Sequence, residues 1–204
     1  MPRILPDSLE YLACSDNQLY ELPDILPSGL RYLGCGFNRL HKLPDVLPYS
    51  LQCILCLHNN ITQLPESLPN CLKEFCCNNN RLRILPKILP DSLQELNCSN
   101  NKLYKLPDIL PDTLHSVRCN DNRLHELPRK LPDCVEFFNC SDNQIHELPS
   151  TLTASLRCLV CENNPIMHIS YKLYNKLDII CCDNKITLIQ KSAIRNIYKW
   201  YSKM

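Results

Sequence analysis

Residues 89–109 read LPDSLQELNCSNNKLYKLPDI, and the same spacing of leucine, cysteine and asparagine returns along the chain. Cysteine recurs every 21 residues at Cys14, Cys35, Cys56, Cys77, Cys98, Cys119, Cys140 and Cys161. An asparagine follows each one three positions later, from Asn17 to Asn164. A ninth unit, IICCDNKITLI, reads as one residue shorter, with Cys181 and Asn184 in the repeat positions. One unit of the form LPxSLxxLxCxxNxLxxLPxx cannot enclose its own apolar side chains. The next unit must cover them, and the units stack as a one-dimensional array.

Within the unit the run Leu12, Ala13, Cys14 alternates with the two-residue period of a short strand, Leu12 and Cys14 facing inward. Strands of successive units then pair in parallel, and nine of them make a sheet on the order of 40 Å long. The return limb, LPDILPSGL from Leu22 to Leu30, carries Pro23 and Pro27, which lack amide donors and fix their own φ. This excludes an α-helix there and predicts an extended or polyproline-like limb. The recurrent asparagine sits where the chain leaves the strand, and its side-chain amide can satisfy backbone groups that the turn leaves unpaired.

With cysteine in the third leucine position, the unit resembles the LxxLxLxxNxL signature of the leucine-rich repeat over roughly residues 5–189. Its short length and paired LPxxLP are similar to the repeats of bacterial type III secreted effectors and of leucine-rich proteins of giant amoebal viruses. The resemblance implies a solenoid, α/β by family convention, with a parallel sheet on the concave face, little helix on the convex limbs, and protein binding on the concave side. Effectors of the ubiquitin-ligase type add a large catalytic domain, and this chain ends at residue 204, soon after its last repeat. No ligase activity is expected.

Composition narrows the function classes. Three glycines exclude collagen, and a 45% hydrophobic share with 21% charge exceeds what a disordered chain carries. Gly29, Gly34 and Gly36 all sit in one repeat, so no phosphate-cradling glycine loop can form elsewhere. No nucleophile triad or paired general-acid carboxylates are found, and we expect neither an enzyme nor a cofactor. Fifteen cysteines leave at least one thiol unpaired. Those of the repeat point the same way from parallel strands, whereas a disulfide needs converging Cβ atoms about 3.8 Å apart. The ladder is therefore expected to be reduced. Spacings of the C-x2-C kind are absent, and the adjacent pairs Cys76-Cys77 and Cys181-Cys182 send their sulfurs to opposite faces, so no metal site is expected. No apolar run approaches the ~18 residues of a membrane span. The N-terminal MPRILPDSLEYLACSDNQ breaks every apolar run, unlike a secretory signal, and together these features point to the cytosol.

Function is then sought in side chains that the repeat does not need. The outward strand rows run Tyr11, Tyr32, Cys53, Glu74, Glu95, Ser116, Phe137, Cys158 and Ala13, Gly34, Leu55, Cys76, Asn97, Arg118, Asn139, Val160. Tyr11, Tyr32, Phe37, Cys53, Leu55 and Leu57 gather in units one to three as an apolar patch with aromatic anchors suited to a protein of the host or cell. Arg118 and Phe137 complete the candidate face toward the other end. A self-associating, virion-type component and an adaptor in ubiquitin ligation are the alternative readings, and a homo-oligomer stays open. The basic row Arg39, Arg81, Lys102 and Arg123 lies near Asp24, Asp45, Asp108 and Asp112 in a chain of pI 7.5, so nucleic acid is not an expected partner. In residues 190–204, Ile194, Ile197, Tyr198 and Tyr201 follow helical spacing beside Lys191, Arg195, Lys199 and Lys203. That pattern predicts a basic amphipathic helix capping the 1–189 solenoid, ahead of a membrane-surface role.

Overall fold

The structure is a computed structural model and describes residues 1–149, 152–167 and 179–181. Nine three-residue strands follow one another: β1 Tyr11–Ala13, β2 Tyr32–Gly34, β3 Cys53–Leu55, β4 Glu74–Cys76, β5 Glu95–Asn97, β6 Ser116–Arg118, β7 Phe137–Asn139, β8 Cys158–Val160 and β9 Ile179–Cys181. They form one parallel sheet in chain order, each paired with the next. Among the described residues there is no helix. The amphipathic helix expected over 190–204, and Asn184, lie outside the described residues.

Every pairing keeps the 21-residue offset, so Tyr11 faces Tyr32 and Leu12 faces Leu33. The same offset holds at the last pair, where Val160 and not Cys161 faces Cys181. This corrects the reading of a shortened ninth unit. The backbone ladder, and not the spacing to Asn184, fixes the register of this last unit.

The central residue of each strand from β1 to β8 points inward, and Leu33, Ile54, Phe75, Val117 and Phe138 are fully buried. Cys35, Cys56, Cys77, Cys98, Cys119 and Cys140 stack beneath them with no exposed surface. Thiol and methylene fill a slot where the strand bends into its turn, and a leucine there would crowd its neighbours in the units on either side. Burial pushes the thiol of Cys98 up to about 12 and those of Cys35, Cys56, Cys77 and Cys119 well above the ordinary value. None of the thirteen cysteines from Cys14 to Cys161 is in a disulfide.

On the return limb the second proline of most units accepts a bond from the residue three positions on, as in Leu93 N–H to Pro90 O at 3.0 Å. This turn delivers the chain back to the next strand. A hydroxyl two residues after that proline stitches adjacent limbs: Ser92 Oγ donates to Leu72 O at 2.6 Å and Thr113 Oγ1 to Leu93 O at 2.7 Å. Cys71 and Cys134 occupy the same slot, and both are exposed.

Candidate functional site

The turn after each strand is the mechanical centre of the unit. In each of seven units the asparagine side chain spans two repeats. Asn80 Nδ2 contacts the carbonyls of Cys56 in the preceding unit at 3.0 Å, of its own Cys77 at 3.1 Å and of Asn78 at 3.3 Å. Its Oδ1 accepts the Ile61 N–H at 2.9 Å. Two amide protons serve three carbonyls, so at least one bond is shared. Asn38, Asn59, Asn101 and Asn143 repeat this pattern and are buried with it. No buried side-chain nitrogen or oxygen among the described residues lacks a partner.

The residue just before this asparagine is left-handed in all eight units, with φ between 49° at Asn100 and 56° at Asp16. Six of the eight are aspartate or asparagine, the non-glycine residues that tolerate this region best. The exceptions are Phe37 at 51° and His58 at 50°. A bulky side chain there costs on the order of 1 kcal/mol. Both exceptions lie beside the candidate patch, and their rings stack, centroids 4.3 Å apart and 13° from parallel.

The patch itself is built by neighbouring strands. Tyr11 on β1 and Tyr32 on β2 are in register and stack at 4.0 Å, 3° from parallel. Tyr11 remains 59% exposed. Burial lifts the Tyr32 phenol to about 12, with the hydrogen bond to Tyr11 and the charge of Glu74 adding to it. The two glycines of unit two make room for this surface. A Cβ on Gly34 would sit 2.9 Å from the Tyr32 ring, and one on Gly36 would sit 3.1 Å from the Leu57 side chain. Tyr32 thus lies over Gly34 and Leu57 over Gly36, while Cys53 and Leu55 of β3 are half-buried beside them. The structure brings Tyr11, Tyr32, Cys53 and Leu55 together on the sheet, with Phe37 and Leu57 on the adjoining turns.

Beyond β3 the chemistry changes. Cys53 Sγ donates to Glu74 Oε2 at 3.3 Å, and Cys76 Sγ reaches Glu74 Oε1 at 3.8 Å. Burial first, then the carboxylate charge, holds both thiols at about 12. This disfavours the thiolate, the form that acts as nucleophile and metal ligand. Arg118 on β6 donates to Ser116 Oγ at 3.2 Å and lies over the Phe137 ring, 5.0 Å from its centroid. Phe137 is only 7% exposed, so it is no open anchor, and it stands with Arg118 four to six strands away from the tyrosines. On the flank, Arg39 Nη1 donates to Tyr20 Oη at 2.7 Å. The left-handed row was missed in the sequence, although aspartate or asparagine ahead of the repeat asparagine in six units was the signal for it.

Among the described residues no group of histidine, cysteine and carboxylate side chains could hold a metal ion, and no helix is long and apolar enough to cross a membrane.

Residues 92–116 match the Leucine Rich Repeat family model. No curated protein matches the chain in sequence. Among solved structures, the chain is similar to a Shigella effector leucine-rich-repeat domain at 29% identity and a TM-score of 0.71, over 85% of this chain and 81% of that one. It is also similar to YopM, a leucine-rich effector protein of Yersinia pestis, at 34% identity and a TM-score of 0.79, over 87% of this chain. It shares the fold of the functional domain of InlJ from Listeria monocytogenes, which includes a cysteine ladder, at 23% identity and a TM-score of 0.75 over 92% of this chain. The chain spans about half the length of these last two, 50% and 47%. With 21-residue units, a parallel sheet and a ladder of repeat asparagines, the chain has the leucine-rich-repeat solenoid fold, matches that family's model within residues 92–116, and is similar in its units to bacterial effector proteins.

Proposed function

We propose that the chain is a non-enzymatic binding module that takes a protein partner on the sheet face of units one to three, through Tyr11, Tyr32, Phe37, Cys53, Leu55 and Leu57. The observation that carries this reading is the pair of stacked rings, Tyr11 on Tyr32 and Phe37 on His58, held at the surface over glycines and in a backbone conformation that a phenylalanine disfavours. Strain kept at a surface aromatic needs a return in function, and stacked, pre-positioned rings give a partner contact area with little ordering cost. Thiols held protonated on the same face support binding over nucleophilic catalysis. Arg118, seated over the buried Phe137 ring, offers a second, more polar contact zone. We place the protein in the cytosol on its free thiols, and assign residues 190–204 as a basic cap on the spacing of Ile194, Ile197, Tyr198 and Tyr201.

The test is affinity capture from the native cell followed by mass spectrometry, with Tyr32→Ala/Leu55→Ser beside Arg81→Ala/Arg123→Ala. A partner retained by the flank variant and lost by the patch variant supports the reading. The opposite pattern assigns binding to the flank.

A further inference from the structure

The return limbs carry a row that the core does not use. Ile4, Ile25, Val46, Ile88 and Ile109 stand at 21-residue intervals and are 88%, 84%, 78%, 81% and 83% exposed. Five aliphatic side chains left this open, in line on one face, are not what an isolated soluble surface needs. The row stays in line because adjacent limbs are bonded, as by Ser50 Oγ to Leu30 O at 2.7 Å. It is interrupted once, by the exposed Ser67 between Val46 and Ile88. At that interruption lies a cleft walled by the limbs of units three and four, with Leu64, Pro65 and Leu68 on one side and Leu85, Pro86 and Ile88 on the other. The aliphatic row therefore has a hole at Ser67 and a knob beside it at Ile88.

We propose that this face binds a second copy of the chain, antiparallel, about a two-fold axis that passes between Ser67 and Ile88. In that register Ile88 of each copy enters the notch over the other's Ser67, and Val46 meets Ile109. The flanking positions fit the same axis. Glu66 lies opposite Lys87 and Asp24 opposite Arg129, each twice by symmetry, as an isologous contact demands. Within one chain, no ion pair joins Glu66 to Lys87 or Asp24 to Arg129 among the described residues, so these charges are available to the mate. Asp45 meets Asp108, a like pair at the solvent-exposed rim, where screened charges weigh little. The axis seats the limbs of units one to six on those of the mate, with Ile25 opposite Lys130, and a specific interface of standard size buries about 800 Å² per copy. The sheet faces stay open, so the dimer presents two binding surfaces.

The test is light scattering on the full chain while its concentration is raised from about 1 to 100 µM, where mass action favours the dimer. The expected mass is twice the 23.7 kDa of one chain. Ile88→Lys and Ser67→Phe, both at exposed positions, should each raise the dissociation constant at least tenfold without lowering Tm. Glu66→Lys should weaken the dimer, and adding Lys87→Glu should restore it. A chain that stays monomeric throughout, or a dimer indifferent to Ile88→Lys and Ser67→Phe, overturns the proposal. A dimer that Glu66→Lys weakens and Lys87→Glu fails to rescue overturns the register.

Discussion

Asn101 Nδ2 contacts the carbonyl oxygen of Cys77, 24 positions earlier, at 3.0 Å, while its Oδ1 accepts the Leu82 N–H at 2.9 Å. One amide thus ties two units together and closes its own turn, and these groups are buried. Asn101→Ala strands a buried N–H and several carbonyls and should cost about 1–3 kcal/mol. Asn101→Asp keeps the acceptor but turns a negative charge toward carbonyls, and should cost at least as much. Urea denaturation of the two variants checks this, and midpoints equal to that of the parent would mean that the ladder carries no stability.

The thiol ladder sets the response to alkali. Burial raises the folded values of Cys56, Cys77 and Cys119 well above the ordinary 9.0 and that of Cys98 to about 12. Above about pH 9 the unfolded chain gives up these protons while the folded chain keeps them, so unfolding is favoured as pH rises. The contribution of the raised values is complete below about pH 9 and is lost at up to about 1.4 kcal/mol per pH unit per thiol above it. Melting temperatures should be flat from neutral pH to about 8.5 and fall steeply beyond, and replacing ladder cysteines with alanine should flatten that fall.

Thiol chemistry also counts the ladder. Protein prepared without reductant and then denatured should yield 15 reactive thiols. In the native state Cys71 and Cys134, the exposed pair, should react first, and the buried row should be protected. A denatured count of only one to three would place the chain in an oxidising compartment.

Phe37 holds φ at 51° where most other units place aspartate or asparagine. Phe37→Asn should stabilise the fold by about 0.5–1 kcal/mol by relieving that strain. It should also weaken partner binding, because the ring over His58 is lost. Calorimetric melting together with a binding titration reads both effects. A variant that is more stable and binds unchanged would remove Phe37 from the site.

Much of this architecture was legible in the residues. A side-chain type returning every 21 positions implies a backbone returning to the same geometry, and so the strand rows, the helix-free limbs and the bonding of the repeat asparagine could all be read in advance. Period alone gives the direction of a side chain and not its exposure. Phe137 points outward by register yet is 7% exposed. In the ninth unit Cys181 keeps the spacing to Asn184 and Cys182 keeps the 21-residue period, and only strand pairing decided between them. Gly34 and Gly36 looked like incidental gaps until the positions of the Tyr32 ring and the Leu57 side chain gave them a purpose. The core leaves the position between two LP pairs free, so the period alone gives no reason for the isoleucines exposed there.

The most direct test of the central claim is isothermal titration of the purified partner into the parent chain, Tyr32→Ala/Leu55→Ser and Arg81→Ala/Arg123→Ala, with Tm measured on each. Both patch side chains point away from the core, so the fold should be retained while affinity falls by ~2 kcal/mol or more, roughly thirtyfold. The flank pair should bind within about twofold of the parent, since exposed charges outside an interface carry little energy. Unchanged affinity in the patch variant, with loss in the flank variant, would contradict the assignment of the binding surface to the sheet face of units one to three.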